Sequence, residues 1–87
     1  MALAFPNSSR SFDARRRAIC FWGYDSAFEI AFYVDAEVMY RLSPQCTNDE
    51  ASLLHTFDVH RARIEAAAGA IYARGRQSFC RLVPSDF

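Results

Sequence analysis

The cleanest pattern in the chain is the alternation from Ala27 to Val34. Phe28, Ile30, Phe32 and Val34 fall on one side, Ala27, Glu29, Ala31 and Tyr33 on the other. A period of two held over that stretch predicts a strand with one face in the core. Just before it, Arg17 to Tyr24 carries β-branched and aromatic residues on both faces and predicts an inner strand. Gly23-Tyr24-Asp25-Ser26 supplies turn chemistry, so the two strands are expected to form an antiparallel hairpin. Leu3-Ala4-Phe5 predicts a short strand stopped by Pro6 and the loop Asn7-Ser8-Ser9. Ser78 to Val83 alternates again and predicts a last strand, with Pro84 to Phe87 as a tail.

Between the hairpin and that last strand the period changes to that of a helix. Asp35 is placed to cap a short helix over Ala36 to Leu42, ended by Pro44. Thr47-Asn48-Asp49-Glu50 has capping-box spacing and predicts the start of a long helix from about Asn48 to Arg74, with Gly75 as its C′ residue. Stepping 100° per residue gathers Leu53, Leu54, Phe57, Ile64, Ala67, Ala68, Ile71 and Tyr72 into one stripe, the expected core face. The predicted order is β-β-β-α-α-β. That order describes an α+β fold: a small antiparallel or mixed sheet with a short and a long helix packed on one face.

Length and charge bound the function. With 87 residues and 52% apolar content, residues 1–87 are expected to form a single domain with one core. The ten basic residues, all arginine, balance ten acidic ones, which excludes a chain that holds nucleic acid by bulk charge alone. The charge is uneven, however: residues 1–24 carry net +3, 25–58 net −6, and 59–87 net +3. Such a chain is either dipolar, which suits self-association, or interleaves its segments in space and cancels the asymmetry. Fourteen alanines beside the arginine bias point to coding composition as its source. No apolar run reaches the ~20 residues of a membrane helix, and Met1 to Pro6 lacks the basic, long-apolar form of a signal peptide. Three unevenly spaced cysteines, Cys20, Cys46 and Cys80, then read as free thiols in a reducing cytoplasm.

Reactive chemistry is sparse. His55 and His60 sit about 140° apart around a helix axis and cannot share an ion, and no cysteine lies near another, so no metal or other cofactor is expected. No nucleophile elbow, phosphate loop or zinc-protease motif is present. Cys46, just before the capping-box Thr47, is placed where a helix N-terminus favours thiolate. The acids Asp35, Glu37, Asp49 and Glu50 all fall in predicted first turns, where complementing the helix dipole accounts for them. No catalytic residue is assigned.

The segments Phe5-Pro6-Asn7, Ser11-Phe12-Asp13 and Ala18-Ile19-Cys20-Phe21-Trp22-Gly23, with Leu53-Leu54, Phe57 and Arg61-x-x-Ile64, carry a resemblance. Together they resemble a small bacterial family catalogued as domain of unknown function 1488. The likeness spans nearly the whole chain through core and turn patterns. It implies a bacterial, cytosolic α+β domain without an assigned activity, and brings no functional residues with it.

Two features point to self-association. On one side of the long helix Ala62, Ala66, Gly69, Ala70 and Ala73 leave a smooth strip that lets another helix approach. A helix from Asn48 to Arg74 is also about 40 Å long, against roughly 31 Å for the diameter of a domain this size. Two helices cover only one sheet face, so Trp22, Tyr24, Tyr33 and Phe79 are candidates for an uncovered one. The expected function is a small interaction or structural domain, a homodimer or the binder of another protein. The alternative is a nucleic-acid module, in which those aromatics stack bases inside a rim of Arg15, Arg16, Arg17, Arg74, Arg76 and Arg81.

Overall fold

The computed structural model describes residues 3–87, with principal extents of 36 × 23 × 22 Å. Its centre is the expected hairpin, β3 (Ala18–Asp25) against β4 (Phe28–Asp35), paired from Ala18↔Asp35 to Asp25↔Phe28. The turn is two residues long, Ser26-Ala27, with Ser26 in the left-handed region at φ 56°. The strand therefore runs straight through Gly23 and Tyr24, where the sequence suggested a turn. Gly23 serves packing instead. A Cβ there would lie 2.9 Å from the Phe5 ring and 3.0 Å from the Phe32 ring, so its single hydrogen lets Phe5 close over the sheet.

Beyond β3, the edge is shared by β1 (Leu3–Ala4) and β2 (Arg10–Asp13), both antiparallel to it. The segment of β2 carries no strand signal of its own, because Phe12 is its only large apolar residue and no alternation can be read. On the other side β5 (Phe79–Leu82) runs parallel to β4, which makes the sheet mixed. The parallel pairing needs a crossover, and the helices provide it.

Those helices are three: α1 (Ala36–Leu42), α2 (Glu50–Val59) and α3 (Arg61–Arg74). The observed order among the described residues is β-β-β-β-α-α-α-β, so the α+β class stands and the single long helix does not. The break falls at His60 (φ −105°, ψ 18°), which caps α2 through its N–H to Thr56 and opens α3 by accepting from Ile64. Val59 and His60 are both weak helix formers. Tertiary bonds grip each side of them. Asp58 accepts two hydrogen bonds from Arg10, both at 2.9 Å, and Arg61 donates to the Asn7 and Ser8 carbonyls at 3.2 and 3.0 Å. Two shorter helices follow the twisted sheet better than one straight rod, and the overhang expected of a 40 Å helix disappears.

The core stripe survives the break. Leu53, Phe57, Ile64, Ala68 and Tyr72 are buried, with Leu54, Ala67 and Ile71 packed at its margin. They meet Ile19, Phe21, Ile30, Phe32 and Val34 from one sheet face, with Val38 and Met39 from α1. At the centre is a phenylalanine cluster, with Phe21 5.3 Å from Phe32, 5.2 Å from Phe57 and 6.0 Å from Phe5 between ring centroids.

The helix ends differ in detail from the sequence reading. Asp49, not Thr47, caps α2 by accepting from the Ser52 N–H at 3.0 Å, while the Thr47 hydroxyl donates to the Asp49 carboxylate. Asp35 precedes α1 but caps nothing with its side chain, which Arg81 takes instead. Gly75 ends α3 in extended rather than left-handed backbone. Within the tail, Pro84–Asp86 forms a 3-10 turn, fixed by the Val83 N–H donating to Asp86 at 2.8 Å.

Candidate functional site

Strand register turns the second sheet face into a grid. Because paired residues share a face, Tyr24 stands beside Glu29, Trp22 beside Ala31 and Phe79, and Cys20 beside Tyr33 and Arg81. Ala18 and Asp35 form the last row. None of these residues belongs to the core cluster, and the buried residues of all three helices pack on the opposite face. Trp22, Tyr24, Tyr33 and Phe79 thus share the face that no helix covers. Trp22, Tyr24 and Tyr33 are half-buried and Phe79 is 42% exposed.

Charged groups organise this face. Arg16, from the turn before β3, lays its guanidinium 4.5 Å from the Tyr33 ring centroid and 5.4 Å from that of Phe79. It also pairs with Asp13 at 3.3 Å. Arg81 grips the nearly buried Asp35 with two hydrogen bonds of 3.0 and 2.8 Å, a bidentate fork. At the other end the Tyr24 hydroxyl donates to Glu29 at 2.6 Å, which holds the phenol above its ordinary pKa. Burial pushes the Cys20 thiol up from its usual value, and the contact with that thiol raises the Tyr33 phenol in turn. Both stay neutral at pH 7, so this face presents no thiolate or phenolate nucleophile. Two shallow hollows adjoin here, about 190 and 230 Å³, and share Arg16, Asp35 and Arg81.

The matching family model, described as "Protein of unknown function (DUF1488)", covers residues 3–83. The chain belongs to the DUF1488 family. Among solved structures it is similar to the crystal structure of a DUF1488 protein of unknown function from Shewanella loihica PV-4. That similarity has a TM-score of 0.81 at 20% identity and covers 92% of this chain and 90% of that one. At that identity the likeness is one of fold. No curated protein matches the chain.

Elsewhere in this DUF1488 chain the candidates of the sequence separate. Ala62, Ala66 and Ala73 are exposed along α3 and Gly69 is half-buried, on a helix of 14 residues that no longer outgrows its domain. Cys46 lines a surface hollow of about 300 Å³ with His55 and His60. Its thiol donates towards the Thr47 and Ser52 carbonyls at 3.5 and 3.7 Å. Among the described residues no group of three or more His, Cys, Asp or Glu could hold a metal ion, and no helix is long and apolar enough to cross a membrane. The arginine rim diverges. Arg16 covers Tyr33, while Arg17, at φ 51°, turns towards Tyr40 and Asn48. Glu29, Asp35 and Arg81 follow the same strand parity as the aromatics and were open to sequence reasoning. Arg16 sits in a turn, where no period exists to place it.

Proposed function

We propose that the protein is a small interaction domain that self-associates through the open face of its sheet and carries out no catalysis there. The observation that carries this reading is the row Trp22, Ala31, Phe79, apolar side chains side by side on a face without a helix. Large aromatics set in a polar surround are what interface centres are made of. Four strand widths by an eight-residue strand give about 500 Å² per protomer, hence about 1,000 Å² per dimer, below the standard size for stable complexes. A contact of that size suits a weak, transient association. Base stacking is the poorer reading, since the Arg16 guanidinium already lies against the Tyr33 ring, Arg81 is engaged by Asp35, and Arg17 turns towards Tyr40 and Asn48.

Trp22 is the sole tryptophan of the chain, so its emission reports this face directly. Sedimentation across a concentration series is expected to show a monomer–dimer equilibrium, with blue-shifted Trp22 emission as dimer accumulates. Trp22→Ala is expected to abolish it while leaving the fold intact by circular dichroism. A wild type that stays monomeric up to its solubility limit defeats the proposal. A salt-dependent gel shift with single-stranded RNA would then favour the alternative.

A further inference from the structure

The open face is patterned in a way that is complementary to itself. Its middle row, Trp22–Ala31–Phe79, is apolar. On one side lies Glu29; on the other lie Tyr33, overlaid by Arg16, and Arg81. Adjacent rows on one face are two residues apart, about 7 Å. Glu29 makes no ion pair among the described residues, and Arg16 uses one nitrogen on Asp13 with its side chain 52% exposed. A guanidinium has five N–H donors, so most of Arg16 remains available.

We infer that two copies pack face to face about a two-fold axis running along the Trp22–Ala31–Phe79 row, with β4 crossing the second copy's β4 antiparallel. This rests on the open face being the contact surface. Rotation about that row leaves it facing its own counterpart, so apolar meets apolar, and it exchanges the rows on either side. Glu29 on β4 then comes over Tyr33 of the second copy, the place where Arg16 already lies. The symmetry makes the contact twice, which gives two Glu29–Arg16 pairs for one interface. A two-fold parallel to the strands would instead set the Arg16 and Arg81 end of one copy on the same end of the other. That arrangement also sets the Glu29 row on the Glu29 row and brings Glu29 no guanidinium, so it is the less favourable of the two.

The test is a charge swap read by sedimentation at micromolar concentration, with melting curves to establish that each variant folds. Glu29→Arg places arginine on arginine, and Arg16→Glu places glutamate on glutamate. Each alone is expected to weaken self-association at least about tenfold. An equimolar mixture restores both oppositely charged contacts within a heterodimer, so it is expected to recover to within about threefold of wild type. Recovery in the mixture also separates this role from the Arg16 contacts within one protomer, which mixing cannot repair. Single variants that dimerise like wild type, or a mixture that stays monomeric, overturn this arrangement. If Trp22→Ala still dissociates the dimer in that case, the open-face reading itself survives; a monomeric wild type removes both. Should Arg16→Glu not fold, Arg16→Gln and Glu29→Gln replace the swap. Dimerisation of these two is expected to lose much of its salt dependence, and an unchanged salt dependence overturns the pairing.

Discussion

Phe28 and Phe32 stand on the same strand with the same parity, and the sequence makes them equivalent. The structure does not. Phe32 is fully buried, 5.3 Å from the Phe21 ring and 5.9 Å from that of Phe5, whereas Phe28 is 75% exposed at the hairpin end. Truncating a buried phenylalanine removes its transfer free energy and leaves a cavity, about 3–5 kcal/mol together. Around Phe32 the neighbours Phe21, Ile30 and Val34 are themselves fully or almost fully buried and hold their places; only the half-buried Phe5 has room to move in. Phe32→Ala is therefore expected to cost about 4 kcal/mol, out of a total of roughly 4–13 kcal/mol for a chain of this length. Phe28→Ala removes the same atoms from water-exposed surface and is expected to stay within about 0.5 kcal/mol. Urea unfolding at low protein concentration, followed by far-UV circular dichroism and by Trp22 emission, reads both at a shared m-value. Equal losses for the two variants, or a loss below about 1 kcal/mol for Phe32→Ala, would refute the placement of the core.

Two further substitutions test the frame around that core. Gly23→Ala gains about 0.4–1 kcal/mol from a stiffer unfolded chain, but its methyl arrives 2.9 Å from Phe5 and 3.0 Å from Phe32. Overpacking of about 1–3 kcal/mol wins; the expected result is a lower melting temperature, partly relieved in a Phe5→Leu background, and a raised one overturns the packing. Hydrogen bonds from Arg10 hold the Asp58 carboxyl below its ordinary value. The stability this supplies is therefore full above the usual carboxylate range and is lost as pH falls through the lowered value. Both side chains are partly exposed, so Asp58→Asn is expected to cost at most about 1 kcal/mol at pH 7. The gap to wild type should narrow as pH falls below the usual carboxylate range, and melting curves whose gap does not change on acidification would refute the pairing.

The candidate surface was half legible in the sequence. Strand parity alone assigns Tyr33 and Glu29 to the face opposite Phe32, and Phe79 to the face opposite Cys80. Which face the helices cover, and that Trp22 lies next to Phe79 across β4, depends on register between segments 57 residues apart. Arg16 belongs to the surface solely because a turn delivers it over Tyr33.

Local order was written in the chain itself. The alternation of β4, the apolar β3 and the stripe from Leu53 to Tyr72 each arise from side chains that must share one face of one element, and periodicity within the element records that need. The remaining features were decided between elements. β2 is a strand because β3 offers it hydrogen bonds, not because its four residues prefer to be one. The helix breaks at His60 because Arg10 and the Asn7–Ser8 carbonyls hold Asp58 and Arg61, partners about fifty residues away in sequence. Asp35 forgoes its helix cap for Arg81, a stronger charged partner than a backbone amide. In each case a long-range contact outweighs a local preference worth about 1 kcal/mol or less, and no window along the sequence contains both partners.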